Sequence, residues 1–407
     1  MDARRAVEQA ARDSYGRLVA FLAARSRDVA AAEDALGDAF RAALEAWPRS
    51  GVPDKPEAWL LTAARRRLTD GARHARVQAD AVPTLLAVTE EAQAVASAEM
   101  MFPDERLKLL FICAHPAINA AARTPLMLQT VLGLDAARIA SAFLVQPAAM
   151  GQRLSRAKAK IRDAGIAFAV PEPSELPPRL DAVLEAIYAA YGSGWDDVAG
   201  ADPRRKGLAL EAIELGRLLL RLLPSEPEAQ ALLALMLHCE ARRAARRSAD
   251  GAYVPLSEQD VTLWSEPMVD EAQELLSTAQ RAGRIGRFQL EAAIQSVHAS
   301  RAWSGRTDWE AIALLYEGLV RLAPTIGALI GRAAAIAEAR DAETGWALLQ
   351  AIPADAVVGY QPFWALAAHL LKRLDRMEQA ADAYSRAIGL CEDPAMRDFL
   401  TQQAPPH

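Results

Sequence analysis

Cysteine is scarce in this chain of 407 residues: Cys113, Cys239 and Cys391 stand far apart and form no CxxC. That spacing argues against a disulfide framework or a zinc site and suits a reducing, cytoplasmic setting. Aromatic residues are only 6% and β-branched residues are sparse, while Ala, Leu, Arg and Glu dominate, so the composition favours helix. No apolar run approaches the ~18 residues of a membrane span. The start, "MDARRAVEQAARDSYGRL", lacks the apolar stretch of a signal peptide. HExxH, GxxxxGK[ST], GxSxG and GxGxxG are all missing. The run "GSGW" (192–195) is too short to cradle a phosphate. His115, in "CAHPA", has Cys113 beside it but no further ligands, so packing is its expected role. We therefore expect no enzyme, no catalytic residue, no metal and no cofactor.

One local absence is more informative. From Pro147 to Arg162 there is no acidic residue, while Arg153, Arg156, Lys158, Lys160 and Arg162 are all cationic. The whole chain carries a formal charge of −6. Residues 1–165 hold 23 Lys and Arg against 19 Asp and Glu; residues 166–407 hold 23 against 33. A basic first part joined to an acidic second part points to nucleic acid for the first only.

Four segments emerge. Residues 1–76 read as three helices, with the Pro- and Gly-containing loop "PRSGVPDKP" (48–56) before the third. Residues 77–103 read as a linker with Glu90, Glu91 and Glu99. Residues 104–167 form a second helical unit, and "FAVPEPSELPP" (168–178) a proline-rich connector. Residues 179–407 read as amphipathic helices broken at "LLPSEP", "RSADGAYVPLSEQD", "LAPTIG" and "IPADAVVGYQP". Near the end, Trp364, Ala380, Tyr384 and Ala387 stand at the relative spacing of a tetratricopeptide repeat, where small residues let two helices approach and Tyr384 fills the gap. The fold class is all-α.

In the cationic stretch, Met150, Leu154, Ala157 and Ile161 form one apolar stripe. Asp135 is placed to cap a short helix, "VQP" breaks it, and Pro147 suits the first turn of the next. Short helix, turn and longer basic helix make a helix-turn-helix pattern. In such a motif Ala148, Ala149, Gln152 and Arg153 would meet base edges, and Arg156, Lys158 and Lys160 would meet phosphates. A solvated basic face on a helical bundle is the plainer alternative.

Upstream, "AAEDALGDAFRAALEAW" (31–47) is followed by "PEAWLLTAARRRLTDGARH" (56–74). An acidic helix, a loop, a tryptophan and an arginine-rich helix resemble domain 2 of the extracytoplasmic-function sigma factors of bacterial RNA polymerase. Residues 104–165 resemble their domain 4. The runs "DERLKLLFICAHPAI", "LLALMLHCEARRAAR", "DGAYVPLSEQDVTLW", "FQLEAAIQSVHA" and "TDWEAIALLYEGL" resemble the group with a long C-terminal extension of repeats like those of tetratricopeptide proteins.

The resemblance implies two partners, core RNA polymerase and promoter DNA. Glu33, Asp34 and Asp38 would dock on the polymerase clamp. Arg65, Arg66, Arg67 and Arg73, with the loop 48–56, would handle the −10 element, and the basic helix would read the −35 element. Trp59 either stacks on a base or packs in the core. The C-terminal domain would be regulatory, with a protein or peptide as a further partner. A stand-alone DNA-binding regulator with a sensing tail, and a repeat scaffold that binds no DNA, are the competing readings.

Overall fold

A computed structural model describes residues 3–74, 104–143, 145–195 and 207–405. The expected linker 77–103, with its three glutamates, lies outside the described residues. Among those described, regular structure is helical, apart from one isolated antiparallel bridge between Arg247 and Tyr253. They fall into two compact units, the first within residues 1–193 and 203–215, the second within 194–202 and 216–407.

The first unit begins with α1 (Ala3–Ser26), α2 (Val29–Ser50) and α3 (Pro56–His74), which pack on one another. Asp28 starts α2 by accepting a hydrogen bond from the Ala31 amide at 3.1 Å. Ala32, Ala35, Leu36, Ala39, Ala43 and Trp47 then fall on one buried face, as the 3.6-residue period requires. Pro48 does not end the helix. Its φ is already helical, and α2 runs on until Gly51, whose φ of 84° closes the last turn with an N–H to the Trp47 carbonyl at 3.0 Å. The loop is therefore 51–55, shorter than the 48–56 read from its prolines. Trp47 and Trp59 are both buried and meet edge to face at 5.6 Å, so Trp59 belongs to the core.

Four helices follow: α4 (Arg106–Cys113), α5 (Ala120–Thr130), α6 (Ala136–Ala142) and α7 (Pro147–Asp163). Asp135 accepts from the Arg138 amide at 2.8 Å and so caps α6; Pro147 opens α7. The stripe Met150, Leu154, Ala157 and Ile161 is buried throughout. Two further helices, α8 (Pro177–Trp195) and α9 (Leu208–Leu222), span the boundary between the two units. The connector 168–178 lies inside the first unit. Buried Arg106 is bonded to both Asp104 and Glu211, which ties the start of α9 to α4.

The second unit is a succession of helices: α10 (Pro227–Glu240), α11 (Glu266–Arg281), α12 (Arg287–Ala299), α13 (Trp309–Leu322), α14 (Ile326–Ala339), α15 (Ala342–Gln350), α16 (Gln361–Arg373), α17 (Met377–Gly389) and α18 (Pro394–Gln403). Most pack on their sequence neighbours, while α12 packs chiefly on α10, the pattern of stacked helical hairpins. Asp308, Thr325, Asp341 and Asp393 cap α13, α14, α15 and α18 with side-chain oxygens. Ala380, Tyr384 and Ala387 are buried between α16 and α17. Trp364 sits at the rim of that core, its indole N–H donating to the Val358 carbonyl at 3.2 Å and Arg386 lying over its ring. The segment 247–253 reaches α18: Arg247 pairs with Asp393, and Tyr253 meets Phe399 edge to face.

His238, inside α10, is 1% exposed and neither ring nitrogen has a partner. Burial, then the nearby Arg242 charge, lowers its pKa to about 4, and the same causes with Arg301 lower that of His298 to about 4. Both folded values lie below the ordinary ~6.5, so both rings fold neutral. Their contribution is complete above pH ~6.5 and is lost as pH falls towards 4. We expect this unit to lose roughly 2 kcal/mol per histidine by pH 5. Urea unfolding at pH 7 and pH 5 checks this, and His238→Leu should remove about half of the difference.

Candidate functional site

On α7 the expected residues separate by helical position. Ala148, Ala149, Gln152, Arg156 and Lys160 are exposed, and residues 148, 152, 156 and 160 follow one another at four-residue steps along one face. This face presents a small residue and an amide near the helix start, with cations one and two turns later. Arg153 is half-buried, and its guanidinium donates to the Ala121 carbonyl at the start of α5, at 3.3 Å. Lys158 points elsewhere. Two residues on from Arg156 is ~200° around the helix, which turns Lys158 towards α2. There its ammonium pairs with Glu33, and both side chains are only 13% exposed. Arg162, a turn further, lies 3.8 Å from Asp28.

The acidic face of α2 is divided in the same way. Burial pushes the Glu33 carboxyl above the usual range, and the Lys158 charge draws it partway back. Asp34 is exposed. Asp38 is bonded to Arg41, and Arg67 of α3 stands 3.7 Å away. Arg65 and Arg67 are exposed and Arg66 is half-buried; the Arg73 side chain lies outside the described residues. Beside this face, burial followed by the Glu33 and Asp34 charges raises the pKa of Tyr15.

The helices expected to form separate surfaces thus share a seam. α7 packs on α2, and α1 packs on α4 and α5. Gly16, in the middle of α1, touches the Val131 carbonyl so closely that a methyl group there would run into it. Tyr15 covers Gly133 from the same helix. Sequence reasoning placed Lys158 on phosphates and Glu33 on a partner, and it missed that the two meet across 125 positions. The available signal was Gly16, a helix-weakening residue inside a well-formed helix.

Cys113 is buried against the Thr130 hydroxyl, and His115 accepts the Ala117 amide through Nδ1. Among the described residues no group of three or more His, Cys, Asp or Glu stands together. What the surfaces do offer is a basic helix face for an anion lattice and an acidic helix face for a cationic partner.

Comparison with known proteins adds to this geometry. Residues 11–77, which cover most of α1 and all of α2 and α3, match the family described as sigma-70 region 2. Residues 179–280 match a family of unknown function, DUF6596. An uncharacterized protein of Rhizobium meliloti (strain 1021) is 37% identical over 381 residues, covering 93% of this chain and 90% of its own. No solved structure matches.

Two variants test the seam. In a free helix, Gly16→Ala would stabilise by ~1 kcal/mol. Here the blocked contact should make it destabilise by about 1–3 kcal/mol, read by urea unfolding; a stabilised variant would mean that α1 and residues 131–133 do not touch. Removing Lys158 alone (Lys158→Met) leaves a buried carboxylate and should cost ~3 kcal/mol or more, whereas adding Glu33→Gln should restore most of it. Additive losses in that cycle would show the pair is not formed.

Proposed function

Because this chain belongs to one family with the Rhizobium meliloti protein and carries a sigma-70 region 2 in its first three helices, we propose that it is an RNA polymerase sigma factor of the extracytoplasmic-function type. The observation that carries this reading is the match over residues 11–77, which falls on α1–α3 and contains both the acidic α2 and the arginine-bearing α3. A sigma-factor role means binding to core RNA polymerase and to promoter DNA. It requires no catalytic constellation.

In this reading α2 meets the polymerase clamp, with exposed Asp34 as the first contact and Glu33 and Asp38 joining once their internal partners are exchanged. Opening promoter DNA costs about 1.4 kcal/mol per base step. Capture of an unstacked base and cationic tracking of the freed strand recover part of that cost. The loop 51–55 and Arg65, Arg66, Arg67 and Arg73 are the elements assigned to this step. α6 and α7 act as a helix-turn-helix on the −35 element, with Ala148, Ala149 and Gln152 at base edges and Arg156 and Lys160 on phosphates.

Lys158 has a different part from its neighbours. While it holds Glu33, the clamp-binding acid is covered and one face of the basic helix is engaged. In this reading such an arrangement is the resting one. Binding to polymerase replaces one cation beside Glu33 with another, so the exchange is close to neutral in charge and its cost is set by geometry. The C-terminal helical unit, with its hairpin pair α16–α17 packed through Ala380, Tyr384 and Ala387 and flanked by Trp364, is the regulatory part, built from repeats like those of tetratricopeptide proteins. No described helix is long and apolar enough to cross a membrane.

The test is in vitro transcription with purified core RNA polymerase and the full chain on fragmented genomic DNA. Specific transcripts that depend on the chain are expected. Asp34→Arg should abolish core binding. Arg156→Ala should weaken promoter binding evenly across sequences and reduce the salt slope by about 1, while Gln152→Ala should alter preference at one base position. Tight promoter binding without polymerase, and no transcripts with it, would replace this reading by that of a stand-alone DNA-binding regulator.

A further inference from the structure

Arg242 follows directly on α10 and is 8% exposed. A buried guanidinium ordinarily has a carboxylate against it, because an unpaired buried charge is strongly unfavourable. Arg242 has none. Its Nη2 donates to Gln295 Oε1 at 2.6 Å and approaches Cys239 Sγ at 3.6 Å, both uncharged. Its Nε and Nη1 donors have no protein partner, yet they are not among the polar atoms sealed from solvent. The acids on the adjoining helices are engaged elsewhere: Glu240 with Arg243, Glu271 with Arg217, and Glu291 with Arg287.

A second arginine is brought to the same place. Residues 255–265 cross over the end of α10, held there by the Ser265 amide on the Ala241 carbonyl at 2.9 Å. Arg301, just after α12, is bonded to the Ser257 and Gln259 carbonyls of this strap, and its guanidinium lies 5.2 Å from the Trp264 ring centre. It too faces no carboxylate, and burial, followed by the Arg242 charge, lowers its pKa. Two further donors stand unused around the pair. The Trp264 indole N–H is buried without a partner, and so are both ring nitrogens of His238, one helical turn before Arg242. All of this lies in the half of the sequence with the acidic excess, so the local surplus of cations runs against its surroundings.

We propose that Arg242, Arg301 and the Trp264 indole form a binding site for a small oxyanion, a carboxylate or phosphate group carried by a soluble ligand. The ligand enters from the half-exposed Arg301 side and accepts charge-assisted hydrogen bonds from the unused Nη1 of Arg242, contacts that both groups can make. In doing so it clamps the strap 255–265 to α10 and α12. The site lies wholly within the second unit, and it gives that unit a chemical input of its own.

The experiment is thermal unfolding of the full chain against increasing sodium phosphate or sodium acetate, each compared with sodium chloride at equal ionic strength. Ligand that binds only the folded state raises the midpoint in a saturable way. We expect one of the two oxyanions to do so, chloride not to, and the effective one to identify the group. Arg242→Met should match or exceed the wild-type midpoint without oxyanion, since it removes an unpaired buried charge, and should lose the response. Arg301→Gln, at a half-exposed position, should weaken the response at least tenfold, and it carries the comparison if Arg242→Met does not fold. No saturable rise over chloride in the wild type, or an undiminished rise in both variants, overturns the proposal.

Discussion

The carboxylate of Glu33 and the ammonium of Lys158 are out of water, and each is tolerable only because of the other. That single requirement organises the first unit. It sets the rotation of α7 against α2, because the lysine must reach the seam while Met150, Leu154, Ala157 and Ile161 stay in the core. With those two faces assigned, helical geometry leaves Ala148, Ala149, Gln152, Arg156 and Lys160 on the outside. The exposed basic face is a consequence of what is buried behind it. The close approach of α1 to residues 131–133, permitted by the bare backbone of Gly16, is the second constraint on the same seam.

This arrangement gives a physical reason for a resting form. In the proposed function, the acid assigned to polymerase and a cation of the helix assigned to DNA neutralise one another within the chain until a stronger competitor arrives. A buried ion pair adds little net stability compared with an apolar contact, but it penalises any state in which only one partner is removed. Such a contact favours two well-defined arrangements over a continuum.

The second unit works on a different principle. Its helices pack largely on near neighbours in the chain, so its stability is close to a sum of local terms, and the link from Arg247 and Tyr253 to Asp393 and Phe399 joins early to late. Against that apolar background the polar group at the end of α10 stands out. Histidines kept neutral by burial and arginines without acids cost stability in an otherwise economical core, and a bound oxyanion would relieve part of that cost.

Helix positions and their apolar stripes were determined by the sequence itself, because a 3.6-residue period and capping residues such as Asp28 and Asp135 act over a few positions. The breaks between the C-terminal helices and the buried trio Ala380, Tyr384 and Ala387 were legible for the same reason. The end of α2 was misread because Pro48 is a strong local signal, while the glycine that closes the turn acts through its conformation. What only the tertiary structure decided is which charged residues face one another: Lys158 with Glu33, Arg67 with Asp38, and Arg242 with no acid at all. Charge pairing depends on distances of a few ångströms between segments far apart in the chain. Composition and spacing hold no record of those distances.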